Sequence, residues 1–499
     1  MSNSHPAPVD RLSHPAFIGF LATQFFGAFN DNLFKQLMLL LAIPTAAVAI
    51  NGVADNATVE QIPPVAQVEG SVETIQAGPT LAGSSLPDAS ESVPESPPEK
   101  GADLQGLATI VFGIPFVIFG GLAGYLADRL SKRTIIVFSK VAEIMVMALG
   151  LFAFLATPWI GFTGLWIVLF LMGLQSTFFG PGKYGILPEM LPRAELNRAN
   201  GLVLMTTFVA IIIGTAVAGP LKDAIIPADI PQMEAASGLW IGSLVCVGIA
   251  IVGTITSLWI VRLPAAEPTL KLKAENLAVP KEVRSLLKRD RPLLFALLAS
   301  CVFWLIAGLT IQAVNSLGKV QLGLTDTWTS MMVSLISVGI AIGGFIAGQL
   351  SRKASDNLVV QIGMWGTVGL CVLMSITLKG GEDAINGGHL LGFWGSVPVL
   401  MLLGASAAFF AIPIQVFLQA RPPEALKGRM IAVMNQANFF AIVLSGAVYF
   451  ALDRIIEAGG WPRSTVFAAM ALLFLPVAIF YRLAPGPESE ANPEPEPQA

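Results

Sequence analysis

The sequence predicts an all-α membrane protein with twelve transmembrane helices arranged as two six-helix pseudo-repeats. Three observations carry that prediction. Charged residues make up 12% of the chain and hydrophobic residues 54%, whereas soluble domains carry about 25% charged residues. Stretches of about 18 or more mostly apolar residues, each long enough to cross a bilayer as a helix, recur twelve times. Short motifs also repeat in register between the two halves of the chain.

The apolar segments run approximately over 16–42, 105–127, 134–156, 159–183, 196–219, 237–262, 292–316, 327–350, 358–378, 391–418, 427–452 and 464–483. Residues 1–51 are expected to hold an amino-terminal tail and the first helix. Residues 52–104, rich in Pro, Glu, Ser and Gly, cannot bury enough apolar surface to fold alone, so a flexible insertion is expected there. Residues 105–262 complete the first half, 263–291 form a basic linker, 292–484 form the second half, and 485–499 read as a disordered acidic tail. Cys246, Cys301 and Cys371 all fall in apolar segments, which supports neither a disulfide framework nor a zinc site.

Placement of the cations sets an orientation. Loops on the amino-terminal side of the zigzag hold 20 Lys and Arg, and the opposite loops hold six. The positive-inside rule then puts both termini in the cytoplasm and the 52–104 insertion outside. Arg262, Lys271, Lys273, Lys281, Arg284, Lys288, Arg289 and Arg291 crowd the central linker, where they also suit contact with anionic membrane lipids.

The first segment carries Asn30-Asp31-Asn32, with Lys35 one helical turn on. An ionised carboxylate at bilayer depth costs at least about 2.5–3.5 kcal/mol, so such a residue usually faces a polar cavity or a partner. Asp31, Lys35 and Gly27 share one helix face. This reads as either a transport cavity or a structural ion pair. Lys140 and Glu143 in the third segment are a candidate phosphate partner and its neutralising neighbour, or a local salt bridge. Gln312 and Asn315 in the seventh offer hydrogen bonds to a head group, or bonds to neighbouring helices. With Asn30, Asp31, Asn32 and Lys35 they make up the candidate substrate-binding set.

The internal repeat divides the chain near residue 275. Gly124-Tyr-Leu-Ala-Asp128-Arg129-Leu-Ser131-Lys132-Arg133 follows the second segment. Gly344-Phe-Ile-Ala-Gly348-Gln-Leu-Ser351-Arg352-Lys353 follows the eighth. Gly173, Phe178, Phe179 and Pro181 in the fourth are answered by Gly404, Phe409, Phe410 and Pro413 in the tenth. Two six-helix halves related as parallel repeats resemble the major facilitator superfamily. The first motif resembles that superfamily's loop between helices two and three, with Ser131 in place of a usual glycine. The resemblance implies a conformational latch of Gly124, Asp128, Arg129, Lys132 and Arg133, with Asp128 meeting the amino terminus of the eleventh helix. Gly348 stands where the second copy would need its carboxylate, so an asymmetric cycle is expected.

A denser signature follows the fourth segment: Phe178-Phe179-Gly180-Pro181-Gly182-Lys183-Tyr184-Gly185-Ile186-Leu187-Pro188-Glu189, continuing through Arg198-Ala199-Asn200-Gly201. With Asn30-Asp31-Asn32 it resembles the bacterial lysophospholipid transporter family, whose carriers are fused to or partnered with an acyltransferase. That resemblance covers nearly the whole chain except 52–104 and the tail. It implies a multi-pass carrier of the bacterial inner membrane that moves lysophosphatidylethanolamine-like lipids inward by alternating access for reacylation. Physically, two glycines and the two prolines Pro181 and Pro188, close together in this run, should break the helix near the membrane surface. Lys183 suits a substrate phosphate or a snorkelling position, and Glu189 is expected to pair with Arg198.

Enzyme chemistry is not expected. His5 and Asp10 fit an acyltransferase spacing but lie in a Pro-rich tail without a catalytic domain. His14 and His389 lack metal-spaced partners, and no phosphate loop occurs. The expected molecule is therefore a monomeric carrier without cofactor, metal or nucleic acid, and any partner acyltransferase is a separate chain. A proton-coupled exporter of hydrophobic drugs and a non-transporting scaffold for an acyltransferase are the alternatives.

Overall fold

The computed structural model describes residues 12–43, 103–192, 195–226, 236–271, 279–350, 355–378, 385–423 and 426–484. The expected 52–104 insertion lies outside the described residues except for Asp103 and Leu104, as do the tail after 484 and residues 351–353 of the second motif copy. Twelve principal helices match the twelve apolar segments. They are α1 (Pro15–Leu41), α2 (Gln105–Arg129), α3 (Lys132–Leu155), α4 (Thr163–Gly185), α5 (Leu196–Ile225) and α6 (Trp240–Ser257), then α7 (Arg291–Ser316), α8 (Asp326–Leu350), α9 (Asp356–Ser375), α10 (Gly392–Ala420), α11 (Lys427–Ala458) and α12 (Thr465–Phe480). Among the described residues, ten helices are long and apolar enough to cross a membrane. α1 has the length, 27 residues, but is interrupted by Asn30, Asp31, Asn32, Lys35 and Gln36. α12 spans only 16 residues. Among the described residues β-structure is limited to one bridge, between Thr377 and His389.

Local chemistry fixes several helix starts. Pro15 opens α1, and His14 Nδ1 accepts from the Ala16 amide at 3.1 Å. Asp290 accepts from the Leu293 amide at 3.1 Å to cap α7. These side chains satisfy amides that have no partner within the helix.

The helices pack as two halves with one scheme. α1 packs on α5, α2 on α4, α3 on α4 and α6; correspondingly α7 packs on α11, α8 on α10, α9 on α10 and α12. The repeated glycines explain part of this likeness. A side chain at Gly173 would collide with the Phe112 carbonyl of α2, and one at Gly404 with the Ile336 carbonyl of α8. Each glycine lets two backbones touch at the equivalent crossing.

The halves meet through α2 with α11 and through α5 with α8. The face carrying the basic linker is here the linker face, and the opposite one the distal face. The α2–α11 seam is closed distally, where Gly106 and Gly446 each face the other's carbonyl. Closure continues to Phe116 and Phe439, stacked with ring centroids 3.8 Å apart, and to Gln436 Nε2, which donates to the Val117 carbonyl at 3.0 Å. Beyond that point Gly120 and Gly124 continue the same stripe of α2 but would meet nothing, as would Gly428 on α11. The described halves are joined distally and parted toward the linker face.

Outside, Phe138, Phe152, Phe345 and Leu472 are 65–73% exposed, an apolar surface suited to lipid and not to water. Trp159, Trp328, Trp394 and Trp461 stand exposed around the distal rim, where interfacial aromatics gather.

Candidate functional site

The amino-terminal half does not bury one continuous apolar core. One cluster, including Phe17, Phe20, Ile136, Leu187 and Val203, lies toward the linker face. A second, including Leu33, Phe34, Met147, Phe154 and Leu169, lies distally. Between them sits a polar layer built from α1, α3, α4 and α5.

A helix turns 100° per residue, so the consecutive residues of Asn30-Asp31-Asn32 point in different directions. Asn30 is fully buried and donates to Glu143 Oε1 at 2.7 Å. Asp31 faces α4, accepting from the Ser176 hydroxyl at 2.6 Å and from Gln175 Nε2 at 3.3 Å. Asn32 bonds back to the Ala28 carbonyl at 2.7 Å. Lys35 does not close on Asp31 as the helix spacing suggests; its ammonium lies over the Phe112 ring, 5.5 Å from the centroid. Both hydrogen-bond donors to Asp31 are neutral, while Glu143, Lys140, Lys183 and Lys35 act on it through space. Asp31, Asn32 and Lys35 are half-buried, as are Ser176 and Thr207 of the same layer.

Lys140 and Glu143 follow the second of their two readings, the local salt bridge. Both are about 1% exposed and pair with each other inside the wall between α1, α3 and α6. Space for the lysine comes from Gly27, where a β-carbon would lie 3.2 Å from its ammonium, and from Gly253, where one would lie 2.8 Å from Cε. The glycine noted on the Asp31 face thus serves Lys140. This pair holds Asn30, and through it the orientation of α1; it does not line the cleft.

Gln312 and Asn315 are fully buried in the distal closure. Asn315 donates to Gln105 Oε1 at 3.0 Å and accepts from Gln36 at 2.9 Å. The Gln105 amide donates to Asp103 at 3.0 Å, and the Tyr449 hydroxyl donates to the same carboxylate at 2.8 Å. This network joins α1, α2, α7 and α11, and Asn315 ties the halves through it. The Gln312 side chain instead donates to the Gly308 carbonyl of its own helix at 3.1 Å, and only its backbone carbonyl accepts from Gln105, at 3.4 Å. Burial, more than any neighbour, raises the Asp103 carboxyl above the usual carboxylate value, against the lowering effect of its donors and of Arg463.

The signature after the fourth segment does not break its helix at Gly180 and Pro181. α4 runs through both to Gly185, and the short helix Leu187–Met190 follows, with Pro188 at its start. Gly185 makes room for the Lys132 stem, since a β-carbon would lie 2.6 Å from Cε. Lys132 pairs with Glu189, which replaces the expected Arg198 partner. Lys183 is buried, 3.4 Å from Thr207 Oγ1, and Gln24 also donates to that hydroxyl at 2.6 Å. The side chain of Tyr184 lies outside the described residues.

The residues of the expected latch hold the chain that follows α6. The Asp128 carbonyl accepts from the Glu267 amide at 2.9 Å, and Tyr125 donates to the Leu270 carbonyl at 3.1 Å. Arg129 donates to Tyr125 at 2.6 Å and Arg133 to the Leu258 carbonyl at 3.0 Å. The Asp128 side chain has Lys132, Glu189 and Glu267 as its charged neighbours, not the parted α11 terminus.

Sequence reasoning missed Gln175 and Ser176, which hold Asp31, and the charges of the distal α5–α8 seam. There Lys222 of α5 pairs with Asp326 of α8, and Lys319 bonds the same carboxylate at 2.5 Å. The available signal was that the distal loops hold few cations, two of which flank this one aspartate.

The model of the Major Facilitator Superfamily matches residues 80–446. The chain belongs to that superfamily. Among curated superfamily relatives it is 27% identical over 357 residues to the lysophospholipid transporter LplT of Citrobacter koseri, covering 69% of this chain and 78% of the relative. It is 26% identical to LplT of Serratia proteamaculans over 352 residues, with the same coverage. Solved superfamily carriers share the fold at low identity. A point mutant of the nucleoside transporter NupG superposes with a TM-score of 0.60 at 13% identity, covering 93% of this chain and 97% of the other. A POT family transporter in complex with a thioalcohol-conjugated peptide superposes at 0.62 and 12%, covering 93% and 95%.

Proposed function

We propose that this protein is a secondary carrier that moves lysophospholipids across the bacterial inner membrane. The carrying observation is a half-buried carboxylate, Asp31, set near Glu143 and the lysines Lys140 and Lys183 in the amino-terminal half, whose seam with the other half is parted toward the linker face. The chain's similarity to lysophospholipid transporters supports the choice of substrate. A zwitterionic head group needs both signs of charge. Asp31 meets its ammonium, while Lys35, whose own ammonium rests over an aromatic face, meets its phosphate. The acyl chain stays in the apolar cleft between the halves.

The linker face is cytoplasmic on the positive-inside rule, as are both termini. Alternating access brings the lipid inward, where a separate acyltransferase chain restores its second acyl group. The test is uptake of labelled lysophosphatidylethanolamine by proteoliposomes holding only this protein. Uptake that is lost in Asp31→Ala, in a variant that still inserts and folds, supports the reading. Unchanged uptake in Asp31→Ala removes Asp31 from the site. Alkalinisation on adding hydrophobic drugs, without lysolipid uptake, replaces the reading with a drug exporter.

A further inference from the structure

The distal α5–α8 seam holds a charge arrangement that the head-group site does not use. Gly219 of α5 sits against the backbone of Asp326, with no room for a side chain. That close approach brings Lys222, from the amino-terminal half, onto Asp326 of the other half. Lys319 lies on the π-helical turn Leu317–Gln321 after α7 and bonds the second carboxylate oxygen at 2.5 Å. Side-chain exposure is 5% for Lys222, 7% for Lys319 and 10% for Asp326. Asp223, next to Lys222, caps α8: it accepts from the Thr327 amide at 2.8 Å, the Thr327 hydroxyl at 2.6 Å and the Asp326 amide at 3.3 Å. One turn into α8, Ser330 is fully buried against Gly219 and its hydroxyl has no hydrogen-bond partner.

Parting this seam separates unlike partners. Lys319 keeps Asp326, because both belong to the carboxy-terminal half. Lys222 loses its carboxylate, and the amino end of α8 loses the Asp223 cap. Each side loses an anionic partner, the freed Asp223 staying beside Lys222 on the amino-terminal half, and the lost contacts are costly unless an anion bridges Lys222 and the α8 terminus in their place. We propose that the phosphodiester of a single-chain phospholipid is that anion. It displaces Asp326 from Lys222 and takes the Thr327 and Ser330 donors of α8, so that phosphate binding itself opens the distal face. The inference rests on the lysolipid reading above and gives the distal seam a part in substrate selection.

The test measures the distance between spin labels on Ala224→Cys and Thr325→Cys, at exposed positions on either side of the seam. Cys246, Cys301 and Cys371 are replaced by alanine, and the full chain is held in a phosphate-free maltoside micelle. Lysophosphatidylethanolamine is expected to lengthen the distance, whereas a monoacylglycerol of the same chain length leaves it short. Lys222→Met fills the same space without charge and stays short with either lipid at the concentration that half-opens the native chain. Its half-saturating lysolipid concentration rises at least about tenfold, as loss of one charge-assisted bond requires. Lys222→Arg keeps the response.

Lengthening by inorganic phosphate as well as lysolipid supports phosphate as the opener and widens the source of the anion. Equal lengthening by monoacylglycerol, or a native response in Lys222→Met, overturns the proposal. The monoacylglycerol arm decides even if Lys222→Met does not fold. Proteoliposome uptake by the native chain separates the two readings. If it moves lysolipid while the distance ignores phosphate, only the gate proposal falls; if it moves none, both fall.

Discussion

The two six-helix halves share their packing scheme and differ in what they bury at mid-depth. In the carboxy-terminal half one apolar cluster runs from Val283 to Leu483, and its buried polar contacts there are uncharged, such as Ser300 with Asn438 at 2.9 Å. In the amino-terminal half the core is split in two, and the gap holds Asp31, Lys140, Glu143 and Lys183. A repeat thus keeps its glycine contacts while its halves specialise. One half holds the ionic groups at mid-depth, and the other presents an apolar body. Charge at bilayer depth is expensive, so concentrating it in one half limits that cost to one set of helices.

The comparison breaks most sharply at the wall pair. Glu143→Ala leaves Lys140 buried without a carboxylate and should destabilise the protein by about 3–5 kcal/mol, read as thermal unfolding in detergent. Lys140→Met combined with Glu143→Leu should recover most of that loss, because no orphaned charge remains. A smaller effect on stability, with a larger one on transport, is expected at Asp31. Asp31→Ala should lower lysolipid uptake at least about tenfold, the cost of a charge-assisted contact. Its melting temperature should barely move, because Gln175 still donates to Ser176 at 2.8 Å.

The shared scaffold is tested by Gly173→Ala and Gly404→Ala. Each forces a methyl group against a carbonyl, and each should cost about 1–3 kcal/mol. Unequal costs measured side by side would show that the two crossings are not equivalent. The smallest change belongs to the uncharged half. Ser300→Ala should cost about 0.6 kcal/mol, in the range of hydrogen bonds between membrane helices. A loss as large as that of Glu143→Ala would erase the contrast between the halves.

Apolar run length and the motif repeat made the helices and their two-half arrangement legible in the sequence, because both record local hydrophobicity and backbone approach. Gly173 and Gly404 could be matched for that reason. Side-chain partners were less legible. The i, i+4 spacing put Lys35 beside Asp31, yet Asp31 is held from α4, 144 residues away. Helix periodicity says which residues share a face and not which helix covers it. The spacing of Lys140 and Glu143 suits a cleft pair or a local salt bridge equally, and only the room made by Gly27 and Gly253 places the salt bridge inside the wall. Lys222 and Lys319 sit at helix ends, where cations serve topology by default, so their shared aspartate was not distinguished.

The position of Asp31 along α1 also acts as a ruler. Sixteen residues separate it from Pro15, or about 24 Å of helix at 1.5 Å per residue. One leaflet's hydrocarbon is about 15 Å thick, half of a 30 Å core. A lipid head held at Asp31 in the parted cleft therefore has depth below it for a whole leaflet-length tail, without folding back. Only ten residues remain between Asp31 and Leu41, about 15 Å, so on the distal side the same tail would just reach the surface. The lengths of α1 on the two sides of Asp31 thus differ, which under the proposed lipid reading makes tail length a second axis of selectivity beside the head group.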